Sequence, residues 1–240
     1  MCSRTTTFLS FLLYCLIFHA PFTYSQTRIQ AIPDNEIYNS VYHIAQDKKG
    51  YIWIATGEGI FRHNAYGFIR FNNSTAGRLI PKNISKALFM AGNGDFYAGS
   101  GGLCRYDYRS GKFILIENSL NPEFVHKLDV DDICEDRQGR LWFFTSFTIT
   151  CFDPKTSHFG NFSPSLEPVT KSRNDYIINA VAVDNDDYVW AAYGNKHVVR
   201  FSAVDRKISR TFDIEPLEGN AAEILSIYAD TKKRVWISAG

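Results

Sequence analysis

One ten-residue stretch, residues 47–56, recurs along this chain and limits what the chain can fold into. It is a turn, Asp47-Lys48-Lys49-Gly50, followed by a short apolar strand centred on Trp53. Residues 136–145 repeat it with the same spacing around Trp142, and residues 184–190 and 230–236 repeat it more loosely, so all four tryptophans occupy one position of the pattern. Trp53 and Trp142 are 89 residues apart with Tyr97 close to midway, and the next intervals, to Trp190 and Trp236, are 48 and 46. Self-similarity at 40 to 50 residues is the mark of stacked supersecondary units.

Each unit reads as four short strands. In the first they fall at 41–46, 51–56, 59–64 and 68–71, and in the second at 87–90, 95–99, 103–107 and 112–116. Hairpin-linked strands with no amphipathic helical pattern between them predict an all-β chain. A period near 46 selects a β-propeller of four-stranded blades over a sandwich, which has no reason to repeat its sequence. The units are expected at 41–85, 86–130, 131–177, 178–222 and, in part, 223–240, an incomplete propeller of about four and a half blades. The expectation is therefore an N-terminal part, or a truncated form, of a longer protein. Residues 26–40 form a lead-in, and 27–32 suit a strand that completes a last blade.

The chemistry of the repeated turn is structural. An Asp at its first position offers acceptor oxygens, and Gly at its fourth (Gly50, Gly139) can take positive φ. The strand that follows carries Trp53, Trp142, Trp190 or Trp236, with Tyr97 in the second unit, and the indole is expected to point between blades. Burying it is worth about 4–6 kcal/mol as an upper bound, energy that a lone blade cannot collect. Asp47, Asp136, Asp184 and Asp230 head four of the turns, but Ala91 replaces Asp in the second and Asp187 replaces Gly in the fourth.

Aromatic residues make up 15% of the chain, which favours strands. Residues 1–25 differ from the rest: Arg4 is their only charge, and an apolar run follows it, as in a secretory signal peptide. The run is shorter than the roughly 20 residues of a membrane-spanning helix, and no span is legible after residue 25. Without Arg4 the chain carries 25 Lys+Arg (26 less one) against 25 Asp+Glu, and no basic cluster is visible, which argues against nucleic acid as a partner. Export permits disulfides. Cys104, Cys134 and Cys151 remain, an odd number read as buried thiols, with a Cys134–Cys151 pair left open.

Residues 41–56, followed by Gly59-Ile60-Phe61-Arg62, resemble the two-component regulator propeller repeat, as do residues 133–145 with Phe152-Asp153. That resemblance implies the periplasmic sensor region of a membrane-bound histidine kinase, commonly one controlling glycan uptake and breakdown. It also implies an oligosaccharide or other small ligand, and a homodimer formed through the longer sensor. The chain carries no phosphoacceptor region or ATP-binding glycine motif and could sense but not phosphorylate.

No catalytic set, metal motif or cofactor motif is legible. The six histidines form no HxxxH or HExxH pair. Gly99-Ser100-Gly101-Gly102 reads as a hairpin turn, and the acidic runs 129–132 and 184–187 as solvated blade turns. Ligand candidates are polar residues of the loops on one face, Glu58, Arg78, Lys82, Ser146, Arg173 and Asn195, with Phe147, Tyr176 and Tyr193 as aromatics able to stack on a sugar. A lyase of the streptogramin-inactivating kind, which also carries a strand like residues 139–143, and a non-catalytic scaffold are the alternatives.

Overall fold

The computed structural model describes residues 40–64, 67–71, 85–117, 130–145, 147–162, 177–194, 196–214 and 224–239. The expected signal peptide, residues 1–25, and residues 26–39 of the expected lead-in lie outside them.

Among the described residues, eighteen strands form four four-stranded antiparallel sheets and one two-stranded sheet. Blade 1 is β1 (Val41–Gln46), β2 (Ile52–Thr56), β3 (Gly59–His63) and β4 (Phe68–Phe71). Blade 2 is β5 (Ala87–Met90), β6 (Phe96–Gly99), β7 (Leu103–Asp107) and β8 (Lys112–Leu115). In blade 3 the strands are β9 (Asp132–Glu135), β10 (Leu141–Thr145), β11 (Thr148–Asp153) and β12 (His158–Phe162). Blade 4 holds β13 (Ile178–Val183), β14 (Tyr188–Tyr193), β15 (His197–Ser202) and β16 (Ile208–Asp213), and blade 5 holds β17 (Ile224–Ala229) and β18 (Val235–Ala239). Strand order follows chain order within every sheet, and the first strands β1, β5, β9, β13 and β17 touch in succession, so they line the axis.

Four of the five blades close their first hairpin with one device. Asp47 accepts the amides of Lys49 (2.9 Å) and Tyr51 (3.1 Å) on Oδ1 and the Trp53 indole N–H (2.8 Å) on Oδ2. Asp136, Asp184 and Asp230 do the same for Trp142, Trp190 and Trp236, at 2.9, 2.8 and 3.0 Å. The aspartate thus fixes both the turn and the direction of the indole, six residues on. Blade 2 has neither member of the pair: Ala91 leaves no carboxylate, Tyr97 has no indole N–H, and the Tyr97 hydroxyl donates to Asp95 instead (3.4 Å). The two sequence departures are one event.

The indole enters the following blade. Trp53, fully buried, has the rings of Phe96, Tyr106 and Phe113 of blade 2 within 4.7–5.5 Å of its own. Trp142 shares a core with Val181, Val199 and Phe201 of blade 4, and Trp190 packs with Ile224 and Ile227 of blade 5. Trp236 is 56% exposed beside Tyr228, its partner across the hairpin.

The turns are also tied to one another. The Gly92 amide donates to Glu135 of blade 3 (2.7 Å), the Arg137 amide to Asp187 of blade 4 (2.9 Å), and Asn185 to the Asp230 carbonyl of blade 5 (3.0 Å). Asp187, where glycine was expected, takes φ 60°, a conformation that Asp tolerates better than most residues. Its carboxylate is the acceptor that bridges blades 3 and 4, which explains a side chain at that position. The glycine run at 99–102 is a hairpin turn, with Ser100 N–H on the Gly102 carbonyl (2.9 Å). Gly99 is required for close approach, since a Cβ there would stand 2.6 Å from Val130 Cβ.

The open question about the cysteines is resolved by register. Cys134 and Cys151 both pair directly with Trp142, one on each side, so their Cα atoms are two strand spacings, about 10 Å, apart. A disulfide needs less than about 7 Å, so Cys134 and Cys151 are not bridged to each other. Burial pushes Cys104 up to about 12 and Cys151 up to about 11, and Cys134 well above the usual thiol value. Because the thiolate is the reactive form, none of the three is expected to label with a maleimide or DTNB at pH 8 in the native protein. Peptide mapping checks this; labelling of any of them before unfolding would contradict the packing described.

Candidate functional site

The first hairpin turns, with their aspartates, lie at one end of the blades, and the β2–β3 type loops and blade-to-blade links at the other. At that second end, the first residues of the axial strands surround a cavity of about 290 Å³. This is at the low end of the roughly 300–1,000 Å³ usual for small-molecule sites. Its wall takes Tyr42 and His43 from blade 1, Lys86 from blade 2, Asp131 and Asp132 from blade 3, Asn179 from blade 4 and Ser226 from blade 5. Five blades contribute, and each contributes a different chemistry.

The polar groups are held in place. Lys86 Nζ lies 2.6 Å from Asp131 Oδ1, and these residues occupy equivalent positions, 45 residues apart, in successive blades. His43 Nδ1 accepts from the Leu88 amide (3.4 Å), which turns the other ring nitrogen away from blade 2's backbone. Asn179 donates to the Gly194 carbonyl (2.6 Å). Asp132 Oδ1 accepts the Ile133 amide (2.8 Å). Burial raises the Asp132 carboxyl above the usual carboxylate range and the charge of Asp131 adds to this, while the Ile133 amide and His43 oppose it. The mouth therefore presents a lysine, a histidine, two carboxylates, an amide and hydroxyls around a recess.

A carboxylate kept in a covered position against its own preference costs stability. With a folded-state pKa above the unfolded value, Asp132 favours the folded protein at acid pH, and that advantage is lost as pH rises through the folded pKa. Asp132→Asn, which keeps the acceptor oxygen, is expected to raise Tm near neutral pH. The gain should vanish below the unfolded pKa of about 3.9, where both variants are neutral. Differential scanning calorimetry across pH 3–7.5 measures it, and an equal or lower Tm for the variant at neutral pH would contradict it.

The residues singled out from sequence fall elsewhere. Glu58, in the β2–β3 turn, forms an ion pair with Arg70 (3.2 Å). Phe147, in the β10–β11 turn, is 49% exposed. Tyr193 is 3% exposed, its ring in the core between blades 3 and 4, so it offers no face to a sugar. None of these three lines the cavity. Arg78, Lys82, Ser146, Arg173, Tyr176 and Asn195 lie outside the described residues. The acidic run ending at Asp132 is not a solvated turn: Asp131 and Asp132 enter the first strand of blade 3 and face the recess. The run 184–187 is a turn, as expected. Among the described residues no group of three or more His, Cys, Asp or Glu could hold a metal ion, and no helix is long and apolar enough to cross a membrane.

Radial four-stranded antiparallel blades around an axial recess define a β-propeller. Residues 35–58 and 126–147 match the two component regulator propeller family. No curated protein sequence matches significantly. Among solved structures, the chain is similar to the extracellular domain of the proposed hybrid two component system BT3049 of B. thetaiotaomicron, with 22% identity over 88% of this chain and 29% of that one and a TM-score of 0.69. The extracellular domain of the proposed one component system BT4673 of the same organism gives 20%, 87%, 27% and 0.66. The β-propeller domain of Cps50 (Swd1) of Myceliophteria thermophila gives 12%, 85%, 64% and 0.60. At these identities the likeness is one of fold, and the chain spans less than a third of the two bacterial structures.

Proposed function

We propose that this propeller is the extracytoplasmic ligand-sensing part of a two-component signalling protein, without catalytic activity of its own, and that it binds an oligosaccharide or a similar polyhydroxylated molecule at the axial recess. One observation carries the reading. The Asp–Trp device is nearly constant from blade to blade, whereas the residues at the recess, His43, Lys86, Asp131, Asp132, Asn179 and Ser226, differ at every blade. Constancy suits a part that holds the ring together, and difference suits a part that recognises something asymmetric. Fixed donors and acceptors on separate strands, with Tyr42 at the edge, match the hydroxyl pattern and apolar face of a sugar. The repeat family and the likeness to extracellular domains of signalling systems support the export and the sensing role.

Isothermal titration of neutral and acidic oligosaccharides into the secreted chain tests it. At least one is expected to bind, with affinity lowered about tenfold or more by Lys86→Met or Asp132→Asn, the scale of a lost charge-assisted hydrogen bond. Binding that neither substitution changes would move the site away from the recess, and no binding across the panel would remove the sugar.

A further inference from the structure

The junction between blades 2 and 3 is built differently from the others. In blades 1, 3 and 4 the strand register places a phenylalanine of the fourth strand on the tryptophan face: Phe71 opposite Ile60, Phe162 opposite Ile149, Phe212 opposite Val198. These rings fill the outer part of the junction. Phe71 lies 5.1 Å from Trp53 and 5.8 Å from Phe113, Phe162 lies 4.1 Å from Phe201, and Phe212 stacks on Trp190 at 5.5 Å. In blade 2 the equivalent residue is Ile116, whose amide bonds the Leu103 carbonyl (2.9 Å), and the tryptophan is Tyr97. Two large aromatic side chains are thus replaced by smaller ones at the same junction.

A crevice opens at the outer part of this junction, over a floor in which Tyr97 and Phe152 stay buried. It has a volume of about 220 Å³ and is lined by Tyr97, Arg105, Ile114 and Ile116 of blade 2 and by Phe152 and Ser157 of blade 3, with Leu115 and Pro154 at its margin. The arginine beside it is also deployed differently. Arg62 and Arg200, its equivalents in register, lie over the rings of their own blades, 4.7 Å from Tyr51 and 3.5 Å from Tyr188. The Arg105 side chain is 49% exposed, engages Nη1 with Asp95 at a loose 3.7 Å, and lines the crevice.

We propose that this crevice is a binding site, separate from the axial recess, for a single-ring aromatic carboxylate, with the ring seated where the other blades place phenylalanine and the carboxylate on Arg105. An apolar cavity of about 150 Å³ suffices to hold benzene, so about 220 Å³ takes a phenyl ring with a short acid arm. Ile114 and Ile116 supply aliphatic walls above the buried rings of Tyr97 and Phe152, and Arg105 supplies the charge-assisted pair that orients the ligand. The Asp95 carboxylate competes for the same guanidinium, and the ligand must displace it or share it.

The probe is phenylacetate, titrated into the 240-residue chain and followed by ligand-detected NMR, with benzyl alcohol as the uncharged counterpart. Saturable millimolar binding of phenylacetate is expected, with benzyl alcohol weaker by about tenfold. Arg105→Met should weaken phenylacetate by a similar factor and leave benzyl alcohol unchanged. Ile116→Phe restores the ring found in the other blades and should abolish both while Tm holds or rises. No saturation with phenylacetate, or equal binding by Ile116→Phe, overturns the proposal. Loss of binding in Lys86→Met with Arg105→Met unaffected would assign the anion to the axial recess and overturn it as well.

Discussion

Trp142→Ala is expected to cost the chain about 3–5 kcal/mol, the range for a fully buried large aromatic whose cavity cannot collapse. The indole is surrounded by two blades, its N–H is bonded to Asp136, and Phe201 of blade 4 lies 5.7 Å away, so no single strand can shift to fill the space. With Tm falling about 2–4 °C per kcal/mol at this length, a drop of roughly 10 °C or more should accompany it. Trp236→Ala, at the same position of the repeat, is expected to cost under about 1 kcal/mol, because that side chain is 56% exposed and has no following blade among the described residues. Urea unfolding of both variants measures the contrast. Equal costs would mean that the indole acts within its own blade.

Asp136→Ala should be nearly as damaging, at about 3 kcal/mol or more. The carboxylate is 5% exposed and is the acceptor for the Gln138 amide (3.0 Å), the Arg140 amide (2.9 Å), the Arg140 guanidinium (2.7 Å) and the Trp142 indole (2.9 Å). Removing it strands several donors at once, each costing about 1–3 kcal/mol when covered. Asp136→Asn separates the parts: its oxygen can still serve the two amides, but its NH₂ would meet two other donors, so it should recover only a fraction of the loss. Asp230→Ala leaves its donors open to water and should fall well short of either. Thermal unfolding of the three variants checks the order, and a mild Asp136→Ala would show that the turn holds without its carboxylate.

Much of the fold is legible in the sequence because the repeat is a register mark. The period fixed where each hairpin turns, and the strands in the first two units begin and end within one residue of their expected positions. The pairing of Ala91 with Tyr97 was visible only as two separate departures. Its sense, an acceptor and a donor lost together, needs the Oδ2 to Nε1 bond seen in the other four turns.

The candidate site was legible in place but not in residues. The expected end of the propeller is the one that carries the recess, yet the polar groups come from the opening residues of the axial strands rather than from the loops. Lys86 and Asp131, at equivalent positions 45 residues apart, would have emerged from aligning the five units column by column. Taken singly, Asp131 and Asp132 look like one more acidic turn, because composition does not say which carboxylate faces an axis. Tyr193 was misjudged for the converse reason: an aromatic at a strand's end can turn inward, and this one packs between blades.

The claim on which the rest depends is that each tryptophan is directed into the blade that follows it, and acrylamide quenching of tryptophan fluorescence tests it directly. Trp53 and Trp142 are fully buried, Trp190 is partly so, and Trp236 is exposed. Trp236→Phe should therefore remove most of the quenchable, red-shifted emission and leave a blue-shifted signal that resists acrylamide. A variant that keeps the quenchable emission of the parent chain would place the other indoles in water and contradict the architecture.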